Sequence, residues 1–161
     1  MKSIILLRHA KSSWEMATSD HSRVLAPRGV ADAHNVGSFV ASHLPMHCSI
    51  YCSTAARTKQ TAEIIASYFP NTAPDIQFES DLYTFSCADL ETFIQSRNED
   101  VQSLILFGHN EAITNFVNKF GSIPIDNVPT CGFVFLELPI NSWSKLQKGI
   151  TKKIKFPKDT A

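Results

Sequence analysis

Two unbroken aliphatic runs dominate the hydrophobic pattern, Ile4-Ile5-Leu6-Leu7 and Leu104-Ile105-Leu106-Phe107. Short continuous apolar runs bounded by polar residues predict strands buried on both faces. Between them the period becomes helical. Val30, Ala33, Val36, Val40 and Leu44 recur at spacings of three and four, which predicts a helix opened by Pro27 and stopped by Pro45. Thr58, Ala62, Ile65 and Phe69 mark a second helix, with Ser53 and Thr54 as capping types before it and Pro70-Asn71 after it. Leu90, Phe93, Ile94 and a snorkelling Arg97 mark a third, and Ile113, Phe116, Val117 and Phe120 a fourth, ended by Gly121. Shorter strands are expected at 49–52, 75–78, 133–138 and 150–156. The last carries Lys152, Lys153 and Lys155, as an edge strand does to block stray pairing.

Alternating strand and helix signals, without repeats or low-complexity linkers, predict an α/β layer fold. At 161 residues, one domain over 1–161 is the natural count. The formal net charge is zero, so no global field favours nucleic acid or an anionic membrane, and anion binding must come from local placement. The first apolar run is too short for a signal-peptide core, and no stretch approaches a membrane span. Cys48, Cys52, Cys87 and Cys131 are few and scattered, which suits reduced thiols. These features read as a cytoplasmic protein.

The candidate chemistry lies at three strand ends. The first run closes on Arg8-His9, the strand at 49–52 leads into Ser53 to Arg57, and the run ending at Phe107 leads into Gly108-His109-Asn110. In a parallel sheet the carboxyl ends share one rim, where ligands bind. Two of these sites open helices, whose free N–H groups and positive dipole ends favour anions. Two guanidiniums and two imidazoles around one point make a phosphate-type pocket. A polar stretch at 11–26 without periodicity follows the first strand, and loops of that length inside a domain are often functional.

These motifs carry a resemblance. Leu7-Arg8-His9-Ala10-Lys11-Ser12-Ser13-Trp14 resembles the opening signature of the histidine phosphatase superfamily, also called phosphoglycerate-mutase-like, with Ala10 where glycine is more usual. Asp20-x-x-Arg23-x-Leu25 and Arg28-Gly29 are similar to the small SixA-type phosphohistidine phosphatases within it. Ser53 to Ala62 resembles the second block, Phe107-Gly108-His109-Asn110 the third, and Val128-Pro129-Thr130 a weaker fourth. The resemblance implies a three-layer α/β/α sandwich with a mostly parallel central sheet and no cap domain. It also implies a metal-independent phosphatase without cofactor. His9 would be the nucleophile forming a phosphohistidine intermediate, with Arg8, Arg57 and His109 holding the phosphoryl oxygens. Ser12, Arg23 and Asn110 are the further candidate substrate-binding residues. The substrate expected is phosphohistidine, because a protonated phosphoramidate releases a neutral imidazole and needs little acid assistance. With little chain to cover the pocket, the partner expected is a phosphohistidine protein such as a phosphotransfer domain.

Several assignments stay open at this level. Glu79, Asp81, Glu15 and Glu111 are candidates for a general acid, with nothing to choose between them. Arg23 can bind phosphate or pair with Asp20 to pin the loop, and Ser12 can bond backbone or phosphate. Trp14 reads as a loop anchor, and His21 and His34 as surface residues. A zinc site at His43, His47, Cys48 and Cys52 is disfavoured, since two cysteines four apart on a strand stand ~13 Å apart. A small-molecule phosphomonoesterase and a non-catalytic phosphate- or phosphoprotein-binding module are the alternative functions.

Overall fold

A computed structural model of the chain describes residues 1–157. Among these residues, strands β1 (Lys2–Arg8), β2 (Cys48–Ser53), β3 (Ile76–Glu79), β4 (Ser103–Gly108), β5 (Phe133–Leu138) and β6 (Ile150–Lys155) form one sheet in the order β3-β2-β4-β1-β5-β6. The pairs β1–β4, β2–β4 and β2–β3 are parallel, while β5 runs antiparallel to both β1 and β6. The helices are α1 (Pro27–Ser42), α2 (Ala56–Ala66), α3 (Cys87–Gln95) and α4 (Ala112–Phe120). None of them is long and apolar enough to cross a membrane.

The aliphatic runs are continuous because both faces of the sheet are covered. Ile4 and Leu6 of β1, with Leu104 and Leu106 of β4, pack against Phe93 and Ile94 of α3 and Phe116 and Val117 of α4. The intervening Ile5, Leu7, Ile105 and Phe107 pack on the other face against Val36 and Val40 of α1 and Ala62 and Ile65 of α2. Each fully buried aliphatic side chain contributes about 1.5–3 kcal/mol relative to exposure. The result is the three-layer α/β/α sandwich with a mostly parallel sheet. The lysine-bearing β6 lies at the sheet edge, as expected.

Some local expectations are corrected. The helix expected to run to Pro45 ends at Ser42, and Leu44 packs on the core from the following turn. Val30, assigned to its buried face, is 39 % exposed. The N-cap of α2 is Ala55, not Ser53 or Thr54, and its side chain makes no cap bond. Ser53 is engaged elsewhere, as described below. Phe69 lies beyond α2 and packs on the core from there. Arg97, one turn past the last core position of α3, folds back over the Phe93 ring at 3.7 Å and donates to the Phe93 carbonyl. Among the described residues His43 bonds only locally, its Nδ1–H donating to the Phe39 carbonyl beside Ser42 Oγ, and it stacks on Phe39.

The topology sets the place for a site. Connections from the neighbouring strands β1 and β4 depart to opposite faces, through α1 and α4, which opens a crevice at their carboxyl ends. Arg8 and Gly108 are paired in register there, so His9 and His109 leave the sheet side by side.

Candidate active site

The imidazoles of His9 and His109 stand 5.3 Å apart, ring centre to ring centre, with the Arg57 guanidinium against both. His9 Nδ1 lies 2.7 Å from the Ala10 carbonyl, which can only accept, so Nδ1 carries the hydrogen. His9 Nε2 therefore presents a lone pair, and the Arg57 Nε–H points at it from 3.3 Å. The Ala10 N–H is itself held by Thr61 Oγ1, whose hydroxyl donates to the Arg57 carbonyl. One turn of α2 thus ties Ala10, the neighbour of His9, to the Arg57 backbone.

His109 has the opposite tautomer. Arg57 donates toward its Nδ1 at 3.4 Å, so Nε2–H donates to Ser53 Oγ at 2.7 Å. Ser53 also accepts the Ala55 N–H, which couples the start of α2 to the end of β4. Burial, reinforced by the neighbouring arginines, pushes the His9 imidazole down to about 4. Burial, with His9 and Arg57 adding to it, takes His109 down to about 3. Both rings are neutral at pH 7, and His9 Nε2 carries a free lone pair.

Arg8, Arg57 and Arg23 supply the positive charge. Arg8 reaches back to the Val128 carbonyl at 3.0 Å, while its Nε–H, buried from water, has no partner. Arg23 is 8 % exposed, and its buried Nε–H also has no partner. Unpaired buried guanidinium donors carry a desolvation cost that an anion would recover. Arg23 also pairs with Asp20 at 2.9 Å and lies over the Trp14 ring at 3.8 Å. Of its two expected employments, the pairing with Asp20 is the one formed.

Asp20 is the residue that sequence reasoning undervalued. It opens a short 3-10 turn, Asp20–Ser22, whose backbone and side chain both meet Arg57. The Asp20 carbonyl accepts from Arg57 NH1 at 2.6 Å, and Oδ2 accepts from Arg57 NH2 at 3.0 Å. Oδ2 also accepts from the Tyr83 hydroxyl at 2.5 Å. The Tyr83 bond first, then those from Arg23 and Arg57, hold the carboxyl far below the usual carboxylate range. The same bond to Asp20 raises Tyr83. Tyr83 and Phe85 set their ring edges against His109 at 5.4 and 5.5 Å. No spacing signal in the sequence singled out these two aromatics.

The remaining candidates take distinct positions. Asn110 does not present free amide atoms to the pocket. It accepts the N–H and hydroxyl of Thr114 and donates to Asn127 and the Val128 carbonyl. The Val128 carbonyl is the one that Arg8 grips, so Asn110 positions Arg8. Ser12 lies beside the site in a backbone bridge with Leu25. His21 is at the rim, bonded to Thr54 Oγ1 and edge-on to Tyr83. Trp14 is 79 % exposed, so the expected loop anchor is instead a ring stacked on Arg23 at the surface.

The loop at 11–26 is fastened from several sides. Leu25 N–H donates to Gln60 of α2, and Ala26 N–H to the Lys11 carbonyl. Gly29 lies so close to Lys11 that a Cβ there would fall on its backbone carbonyl. The Arg28-Gly29 pair thus has a steric reason.

The sequence profile of the histidine phosphatase superfamily (branch 1) matches residues 4–103. An uncharacterized protein of Mycobacterium tuberculosis, Rv1276c, is 26 % identical over 160 residues, covering 93 % of this chain and 98 % of its own length. A structure from Nakamurella multipartitia, provisionally named a phosphohistidine phosphatase SixA, superposes with a TM-score of 0.80 at 22 % identity, over 97 % of this chain and 96 % of that one. A second, from Agrobacterium tumefaciens and with the same provisional name, gives 0.73 at 28 % identity, over 84 % and 91 %.

Proposed function

This chain belongs to the histidine phosphatase superfamily (branch 1), with phosphatase chemistry as the premise, and we propose that it hydrolyses protein phosphohistidine through a covalent intermediate on His9, without a metal ion. The observation that carries this reading is the orientation of His9. Its Nε2 carries a lone pair at which the Arg57 Nε–H points, and Arg8 and Arg23, whose charges act on His9, each hold a buried Nε–H without a partner. A phosphoryl group placed there meets the nucleophile on one side and Arg8, Arg57 and Arg23 on its equatorial oxygens. His109 Nδ1 now faces Arg57 as an acceptor, and next to a phosphate dianion it takes up a proton and becomes a donor. The arginines supply the fixed positive charge that a loose phosphoryl transition state requires.

The phosphohistidine assignment rests on the leaving group. The carboxylate in the pocket, Asp20, is held ionised and offers no proton to a departing alkoxide. An imidazole leaving a protonated phosphoramidate departs neutral. The provisional name of the Agrobacterium relative points the same way. The rim favours a protein-borne substrate such as a phosphotransfer domain, since Trp14 and Phe85 beside the pocket are exposed. Free thiols at all four cysteines fit a cytoplasmic setting.

The test is a comparison of kcat/KM for a phosphohistidine-bearing protein, a phosphohistidine peptide and an alkyl phosphate. The reading expects the two phosphoramidates to exceed the alkyl ester by at least about 100-fold, the scale of one acid catalyst. Faster turnover of the alkyl phosphate would assign a small-molecule phosphomonoesterase instead.

A further inference from the structure

We propose that Asp20 is the base that takes a proton from the hydrolytic water, and that the bound phosphoryl group is what frees its carboxylate for this task. The proposal rests on the covalent reading above and concerns its second half. Among the described residues, Asp20 is the carboxylate that bonds the pocket arginines, through Arg57 and Arg23. None of Glu15, Glu79, Asp81 and Glu111 makes such a bond.

Position is the first argument. Arg57 directs Nε–H at the attacking nitrogen of His9 and its NH2 group at Asp20 Oδ2, so one guanidinium separates the reacting phosphorus from the carboxylate. NH1 of the same guanidinium anchors the Asp20 backbone, which stops the turn from drifting away. The carboxylate side chain is 44 % exposed, so water reaches it while it faces the pocket.

Competition is the second argument. The carboxylate takes donors of Arg57, Arg23 and Tyr83 that an anion in the pocket would also seek. A phosphoryl group, carrying up to two negative charges, claims the arginine donors. Asp20 keeps Tyr83, loses cationic partners and gains a like charge nearby. His109, its other titratable neighbour, is meanwhile bonded to the phosphate. Each change at Asp20 raises the carboxylate's proton affinity. Its basicity therefore arrives together with the group to be hydrolysed.

The step balances as follows. The water oxygen bonds to phosphorus as the P–Nε2 bond breaks, and that electron pair returns to the His9 imidazole. One water proton passes to Asp20, inorganic phosphate leaves, and Asp20 gives the proton to solvent. Formation of the intermediate from phosphohistidine needs no proton from Asp20, because the departing imidazole is neutral.

The experiment uses phosphoramidate as donor, quenches in alkali at millisecond to second times, and measures phosphate on His9 by mass spectrometry. Asp20→Asn keeps the shape and an acceptor for Arg57 but has no proton affinity. The expected result is label formed within a few-fold of the wild-type rate, then accumulating toward one per chain while turnover falls about 100-fold. Asp20→Glu is expected to label and clear. A purely structural role for Asp20 would slow label formation and leave no accumulation, which overturns the proposal. So does clearance by Asp20→Asn at the wild-type rate. Turnover by wild type with no label at any time would remove the covalent reading itself.

Discussion

Acidification is a quantitative probe of the pocket, because burial and arginine charge hold both imidazoles neutral in the folded chain. His9 titrates at about 4 and His109 at about 3, against 6.5 for an unperturbed histidine. As pH falls, the unfolded chain takes up these protons first. The stabilisation from keeping them neutral is complete above pH 6.5 and is lost progressively toward pH 4. At pH 5 a free imidazole is about 97 % protonated, while His9 is only about 9 % protonated. The linked loss between pH 8 and pH 5 is about 2 kcal/mol for each of the two histidines. Urea denaturation of the wild type and His109→Gln across this range measures it, and the variant's profile should be shallower by about 2 kcal/mol. NMR titration of the assigned His9 ring gives the direct reading, with a midpoint near 4. A midpoint near 6.5, or identical profiles for the two proteins, would refute the reasoning.

Other perturbations test separate parts of the site. Arg57→Lys keeps the charge but cannot serve His9 and Asp20 together, and kcat should fall about 100- to 1000-fold, read by steady-state kinetics. Asn110→Ala unfastens the Val128 carbonyl that holds Arg8, so it should raise the Kd for inorganic phosphate and lower stability by about 1–3 kcal/mol, measured by calorimetry and denaturation. Gly29→Ala forces its methyl onto the Lys11 carbonyl, and a loss of about 1–3 kcal/mol is expected, with faster proteolysis in 11–26.

The strongly periodic parts of this fold are legible in the sequence because burial alone writes them. The runs at Ile4 and Leu104 are continuous because β1 and β4 are covered on both faces. The apolar positions of α4 fall on one face, and all are buried. Element ends are less legible, since α1 ends at Ser42, where the His43 N–H turns to the Val40 and Ala41 carbonyls before Pro45 is reached. Within the site, Arg8, His9 and His109 are legible because they stand at strand ends, and Arg57 because it opens the helix that follows one. Asp20 and Tyr83 are not, because their roles come from loops 63 residues apart meeting in space. Asn110 was adjacent to the right residue but turned toward Thr114 and Val128, a choice that depends on where the 127–128 segment passes.

The central claim is that His9 carries the phosphoryl group. The most direct measurement quenches the wild type and His9→Ala in alkali within milliseconds of mixing with labelled phosphoramidate, then maps the label by mass spectrometry. The account predicts acid-labile, alkali-stable phosphate on His9 of the wild type, formed no more slowly than turnover, and none on His9→Ala. Undiminished turnover by His9→Ala, or wild-type turnover with His9 never labelled, would contradict it.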